Sequence, residues 1–304
     1  MAKQVHDFVK TCDVCQRRGP PPKRPEPLYP LNVGEPFDRI GIDVVGPLPI
    51  TASGNRFIIV ATDYLTKWPE AKATPDYTAP TTADFLYEMF TRHGTPKELL
   101  SDRGSNFMSQ AIEALCNKWE VQQTFSSAYH PQTNGLVERF NKTLGETLAK
   151  LCLKRPQDWD ELIPAALFTY RTARHETTKR TPFYMMYGRE ATYPVETLIE
   201  TYPREHHERQ LESSDTTKQV QRALRLYELT EDRDKARDAI QQSQQRQKER
   251  YDREVRQRAF AVNDLVLLHE PSKTATRAGK FAMKWEGPYR VHTVLGKGVY
   301  RSRC

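Results

Sequence analysis

The first part of the chain places short apolar runs between turn residues. Three such runs, at residues 39–45, 56–62 and 68–74, predict β-strands. The turn sequences GP at 46–47 and SGN at 53–55 separate them. Because the three runs follow one another directly, they predict a meander.

The spacing of apolar residues then changes from strand-like to helical. Residues 82–93 place their large apolar side chains on one helical face, and Gly94 ends the helix. Further along, the pattern predicts strands at 97–101 and 121–125, and helices at 111–119, 135–151 and 159–171. Strands followed by alternating helices and strands predict an α/β fold, in which helices cover a mixed sheet.

Beyond about residue 202 the composition shifts to Gln, Arg, Glu and Asp. Residues 214–253 predict a long and mostly solvated helix, within a helical linker at 203–256. Its regular apolar points are Val220, Leu224, Tyr227 and Ile240. Short strands at 261–268, 289–291 and 299–300 then predict a small all-β, barrel-like C-terminal module.

Charge is distributed unevenly along the chain. The formal net charge is +7, and residues 256–304 hold ten Lys or Arg against three acidic residues, so the remainder is about neutral. A basic terminal segment suits a polyanionic partner such as DNA, because binding releases counterions from the phosphates. The alternative is that the charge serves only solubility. A membrane partner is not expected, since no apolar run approaches the roughly 18 residues that span a bilayer.

Three carboxylates stand where an acid needs an explanation. Asp43 lies in the middle of an apolar strand, Asp102 ends another strand, and Glu138 lies in the first turns of a helix. Taken singly, each acid is as consistent with a structural role as with a catalytic one. An Asp at a strand end is often a turn former or a helix cap, and a Glu on a helix is usually solvated. If the two strands are neighbours and the helix packs across their ends, the acids converge, and a divalent cation compensates their repulsion. Two such ions support phosphoryl displacement.

The sequence motifs around these acids resemble those of a known family. They read GIDVVGP at 41–47, SDRGSNF at 101–107 and HPQTNGLVERFN at 130–141, and 35 residues separate Asp102 from Glu138. This combination resembles the integrase cores of gypsy-type long-terminal-repeat retrotransposons and retroviruses, which are parts of Pol polyproteins.

By that resemblance, residues 31–195 form an integrase catalytic core with a ribonuclease-H-like fold, and Asp43, Asp102 and Glu138 bind two magnesium or manganese ions. The resemblance implies a polynucleotidyl transferase that processes the 3′ ends of element DNA and joins them to a target duplex. The implied partners are double-stranded DNA and further copies of the chain. The implied location is the nucleus, after a cytoplasmic particle stage.

Six further residues are candidates for DNA contact. Asn141 and Lys142 lie one helical turn beyond Glu138, on nearly the same face. Lys142 is the candidate contact to the DNA end, with a plain solvated lysine as the alternative. The other candidates are Asn106 and Gln132, which would position a backbone or phosphate, and Lys284 and Arg290 in the basic terminal segment.

The N-terminal part of the chain carries Cys12 and Cys15 at zinc-ligand spacing. Two thiolates make half of a tetrahedral site, and the resembled family supplies two upstream histidines, whereas His6 is not at the position of either. Residues 1–18 are therefore interpreted as the remnant of a zinc-binding module, with an incomplete zinc site or a free dithiol. Residues 19–30 predict a proline-rich basic linker.

At the other end, residues 257–304 are interpreted as a basic DNA-binding module. The word KWEGPYRV at 284–291 resembles the Gly-Pro-Tyr module of gypsy-type integrases. The sequence stops soon after Tyr300, so a last strand is expected to be missing. Trp285 and Tyr289 are better explained as packing residues of the module, with the surrounding Lys and Arg facing DNA.

Two other functions remain open from the sequence. The first is a catalytically retired, retroelement-derived DNA-binding protein, which would not need all three acids. The second is a plain ribonuclease of the same fold, which would not need the basic terminal segment or the cysteine pair.

Overall fold

A computed structural model describes residues 2–19, 28–126, 135–153, 155–193, 215–253, 255, 259–269, 283–296 and 299–303. The chain divides into two compact units. The core unit is Pro30–Gln245, and the terminal unit combines Met1–Tyr29 with Arg246–Cys304.

Both units contain helices and strands. The described helices are α1 (Ala2–Thr11), α2 (Asp13–Arg18), α3 (Ala79–His93), α4 (Gln110–Lys118), α5 (Gly135–Leu151), α6 (Ile163–Thr172), α7 (Pro182–Tyr187) and α8 (Asp215–Asp252). The described strands are β1 (Arg39–Val45), β2 (Phe57–Asp63), β3 (Pro69–Thr74), β4 (Glu98–Ser101), β5 (Gln122–Phe125), β6 (Leu265–His269), β7 (Trp285–Gly296) and β8 (Val299–Arg303).

The core unit contains a five-stranded mixed sheet in the order β3-β2-β1-β4-β5. β1 pairs antiparallel with β2, which pairs antiparallel with β3, so the predicted meander is confirmed. β4 lies parallel to β1 and to β5. The predicted fold class, a mixed sheet with flanking helices, is therefore also confirmed.

Helices cover both faces of this sheet, because successive residues of a strand point to opposite faces. Ile59 and Ala61 of β2 pack with the buried side chains of α3 and α4. Ile58 and Val60, which alternate with them, pack with those of α5 and α6. The α5 side chains buried there are Val137, Phe140, Leu144 and Leu148. This packing places α5 across β1 and β2.

Helix α8 spans nearly the range that the sequence predicts, but one of its faces is docked. Leu224 and Tyr227 are exposed, whereas Leu229, Ala236 and Ile240 are buried in the core unit. Their spacing of seven and four residues puts the buried three on one side of the helix. The expectation of a mostly solvated helix holds for most of its described side chains, and these three are the docked exception. No helix in the described ranges is long and apolar enough to cross a membrane.

The terminal unit contains an antiparallel sheet in the order β6-β7-β8. The expected barrel is wrong for the residues that the structure describes, because these three strands do not close on themselves. A barrel needs more strands than three to close without an edge. Trp285 packs inside this unit, where its Nε1 donates to the Gly19 carbonyl at 2.8 Å.

Candidate active site

The register of β1 and β4 brings the first two acids together. These parallel strands pair Ile40 with Leu99 and Gly41 with Leu100. Asp43 and Asp102 each lie two residues beyond the last of these pairs, at the same end of the sheet. The third acid, Glu138, lies in the first turn of α5, which packs across β1.

Asp43 is half-buried, and its surroundings disfavour its charged form. Burial raises the pKa of its carboxyl group, and the carboxylates of Asp102 and Glu138 raise it further. Two hydrogen bonds oppose this rise, from the Val44 amide to Oδ1 and from Asn141 Nδ2 to Oδ2, each at 2.8 Å. Asp102 and Glu138 are thus both close enough to disfavour the charge on Asp43.

No cation of the described part of the chain neutralises these acids. None of the three takes part in an ion pair there, and Asp102 and Glu138 are exposed to solvent. The arrangement therefore leaves carboxylate charge uncompensated at the end of β1.

The donor chemistry of the site fits a hard divalent cation, which prefers carboxylate and amide oxygens. Beside Asp43, the side-chain oxygen of Asn141 is buried and has no hydrogen-bond partner. Within the described ranges, however, no three His, Cys, Asp or Glu side chains already stand close enough to hold a metal ion. The acids approach one another without forming a complete ligand shell.

The loop after β4 is held by its own backbone. Gly104 donates its amide to Asp102 Oδ1 at 2.9 Å, and the Phe107 carbonyl accepts from Gln123 Nε2 at 2.7 Å. Asn106 lies in this loop with a buried side chain whose Nδ2 has no partner. Its role in positioning a backbone or phosphate stays a prediction.

The two candidates on α5 face different surroundings. Asn141 turns its amide to Asp43, so it orients that carboxylate. The side chain of Lys142 is 79% exposed, and its Nζ lies 4.0 Å from Glu146, which leaves the ammonium available to a partner. Gln132 lies outside the described residues.

A group of basic side chains around His175 was missed by the sequence reasoning. Burial lowers the pKa of His175 to about 4, and Lys67 and Arg139 lower it further. Lys67 is itself buried, with a pKa lowered to about 8, again chiefly by burial. Arg139, directly after Glu138, is exposed. Its position next to a candidate catalytic acid was the one available signal.

In the terminal unit, Cys12 and Cys15 lie close together as free, partly exposed thiols. The backbone amide of Cys15, at the start of α2, lowers the pKa of Cys12, and the Cys15 side chain lowers it too. The described residues bring no third potential ligand into a metal-binding group with them. Zinc binding stays a prediction.

The two basic candidates of the C-terminal sheet differ in exposure. Lys284 is partly exposed, and its backbone amide donates to the Arg17 carbonyl at 2.9 Å. Arg290 is exposed, with one weak hydrogen bond of 3.4 Å to the Asn263 carbonyl. Both side chains are therefore accessible to an anionic partner.

The integrase core domain family matches residues 34–131, a range that contains Asp43 and Asp102 and ends before Glu138. A domain of unknown function (DUF8803) matches residues 260–302.

Two relatives share sequence with the chain. It is 25% identical over 298 residues to the retrovirus-related Pol polyprotein from transposon 412 of Drosophila melanogaster, covering 97% of this chain and 23% of that protein. It is 32% identical over 195 residues to the Pro-Pol polyprotein of feline foamy virus, covering 64% of this chain and 17% of that protein. The chain thus spans about a fifth of the length of the curated relatives it matches.

A solved structure shares the fold. It is a simian T-cell lymphotropic virus intasome in complex with the PP2A regulatory subunit B56 gamma. One of its chains aligns with 96% of this chain and over 81% of its own length, with a TM-score of 0.52 and 14% sequence identity. At that identity the likeness concerns the fold alone.

Proposed function

Since the chain carries an integrase core domain and is related to the Pol polyproteins of retroviruses and transposons, we propose that it acts as the integrase of such an element. In this proposal it is a polynucleotidyl transferase, which processes the 3′ ends of element DNA and joins them to a target duplex. Gypsy-type elements remain the proposed group.

One observation carries the proposal. Three carboxylates from β1, the end of β4 and the start of α5 lie close enough that Asp102 and Glu138 raise the pKa of the half-buried Asp43. Acids in such an arrangement cost stability unless a bound cation compensates them, and costs of this kind are typical of functional sites. That cost supports a catalytic role for Asp43, Asp102 and Glu138.

The same residues are the proposed ligands of two magnesium or manganese ions. Bound there, such ions would activate the attacking hydroxyl and stabilise the leaving oxygen of a phosphodiester. The chain itself holds Asp43 in place through the Val44 amide and Asn141. The Gly104 amide holds Asp102 in the same way.

DNA is the proposed partner, and further copies of the chain are expected because two element ends must be joined together. Lys142 supplies positive charge beside the acids, while Lys284 and Arg290 supply it in the terminal unit. We place the reaction in the nucleus, after a cytoplasmic particle stage. Cys12 and Cys15 are proposed to form an incomplete zinc site.

The second candidate function is a DNA-binding protein that no longer catalyses. The observation that favours it is the absence of a complete ligand group among the described residues. A reaction assay separates the two functions, because only the enzyme needs the carboxylates.

The test is joining of labelled duplexes, taken from the ends of the element that encodes the chain, to plasmid DNA with magnesium or manganese. Joining by the parent chain and by Glu113→Gln, an exposed acid on α4, but not by Glu138→Gln, is the expected result. No joining by any of them, with DNA binding preserved, would overturn the proposal in favour of a retired binding protein. Cleavage of an RNA–DNA hybrid without joining would indicate a ribonuclease.

A further inference from the structure

A small apolar cluster separate from the two main cores includes a residue of α8. Ile240 is 3% exposed and packs in this cluster with residues from four other segments of the core unit. Its buried members are Val33, Tyr64, Leu65, Leu100 and Ile240, with Leu31 and Leu136 packed against them.

Two members of this cluster lie two residues before candidate catalytic acids. Leu100, fully buried in β4, precedes Asp102 by two residues, and Leu136, at the start of α5, precedes Glu138 by two residues. Tyr64 is near the same place. Burial raises the pKa of its hydroxyl, and Glu138 is among the charges that add to the rise. The cluster thus joins the end of β4 to the start of α5.

Polar contacts fix the position of α8 against the core. Arg233 donates to the carbonyls of Met185 and Met186 at the end of α7, at 2.9 to 3.1 Å. Asp232 accepts from the Tyr184 hydroxyl at 2.8 Å. Ile240 lies two helical turns further along the same docked face, so these contacts set where it enters the cluster.

We propose that Ile240 is a positioning residue for DNA joining, which holds the backbone before Asp102 and Glu138 so that the three carboxylates converge. The inference rests on the proposed function for its catalytic meaning, but its structural part stands on the packing alone. Under this proposal α8 helps to position the catalytic acids, in addition to linking the core unit to the residues that follow.

The matched control is Leu229, which is 5% exposed on the same face of α8 but packs on Gly188, outside the cluster. Eleven residues of helix separate it from Ile240, a rise of about 16 Å. Leu229→Ala and Ile240→Ala each leave a cavity under α8, and the two losses of stability are expected to be similar.

Joining by Ile240→Ala is expected to be slower by about tenfold or more, because small displacements of reacting groups have large kinetic effects. The affinity for DNA should stay unchanged. Ile240→Leu should restore the rate, and the milder Ile240→Val covers a failure of the alanine variant to fold. Leu229→Ala should join at nearly the parent rate.

Hydrogen–deuterium exchange of the full chain without metal gives a readout independent of activity. In Ile240→Ala the amides at 100–102 and 136–138 should exchange faster than in the parent, and in Leu229→Ala they should not. Equal rates of exchange at these amides in both variants, or equal losses of joining, would overturn the inference. If the parent does not join DNA, the proposed function fails, and the exchange comparison still decides the positioning role.

Discussion

Glu70 on β3 and Asp43 on β1 are two carboxylates in one sheet with opposite surroundings. Glu70 is 5% exposed and pairs with three cationic or potentially cationic side chains. It accepts from Trp68 Nε1 at 3.0 Å, and it lies 2.8 Å from His93 Nε2 and 3.2 Å from Arg171. Burial alone would raise its pKa, but these partners lower it to about 2.

Asp43 receives the same penalty from burial, yet its strongest charged neighbours are two further acids, and its pKa is raised. The difference is that basic side chains surround Glu70, whereas no ion pair among the described residues compensates Asp43. Asp43 lies at the end of β1, where the proposed reaction needs a bound metal ion. An uncompensated acid is thus a better marker of function than a buried acid as such.

The largest expected effect comes from removing a site acid. Asp102→Asn should reduce joining by at least about a thousandfold, because it removes a proposed metal ligand without changing the shape of the side chain. The free energy of unfolding should change little, since Asp102 is exposed and the Asn side-chain oxygen can still accept the hydrogen bond from the Gly104 amide. Joining rates and chemical denaturation measure the two effects.

Binding of a labelled duplex by Asp102→Asn should stay close to that of the parent chain. Retained joining activity in this variant would contradict the assignment of Asp102. A large loss of stability would instead show that Asp102 stabilises the fold as Glu70 does, and the contrast between site acids and structural acids would not hold.

Glu70→Gln should show the reverse pattern, with a loss of roughly 3–5 kcal/mol in the free energy of unfolding. The physical reason is that Arg171, whose side chain is 20% exposed, would keep a charge without its partner. The matched control is Glu88→Gln, which breaks a pair with the half-exposed Lys72. That change should cost less than about 1 kcal/mol.

Urea denaturation of both variants and the parent measures these losses. A cost for Glu70→Gln no larger than that for Glu88→Gln would show that the cations around Glu70 do not stabilise the fold.

Acid should remove the stabilisation by Glu70 gradually. Its pKa in the fold is about 2, below the ordinary value of 4.5, so its contribution is complete above pH 4.5 and is lost as the pH falls through about 2. The shift corresponds to roughly 3 kcal/mol. The difference in unfolding free energy between the parent and Glu70→Gln should therefore shrink over this range. If the difference in unfolding free energy stayed constant over this pH range, Glu70 would stabilise the fold through packing and not through its charge.

Much of the core could be predicted from the sequence. The apolar runs of β1, β2 and β3 predicted the meander, and the rare acid inside an apolar strand made Asp43 a candidate site residue. The partners of Glu70 could not be found in this way. Arg171 lies about a hundred positions away along the chain, and no local sequence pattern predicts such a pairing.

Other misses have similar causes. Helix α7 has only six residues, too few to show a helical period of apolar positions. Thr181 caps this helix and Gly188 ends it. In α8, Leu229 and Ala236 stand among charged residues, so the docked face gave no clear signal. Short strands with turns are compatible with both a barrel and an open sheet.

The smallest expected effect concerns Lys142, the exposed cation beside the site. Lys142→Ala should weaken DNA binding a few-fold and lower the salt dependence by about one phosphate contact. It should leave stability unchanged, since its pair with Glu146 is long and exposed. The control is Lys150→Ala, an exposed lysine in the last turn of α5. Equal effects of the two variants on duplex binding across a salt series would show that Lys142 contributes only general charge. A larger effect of Lys142→Ala would support Lys142 as a specific DNA contact beside the proposed active site.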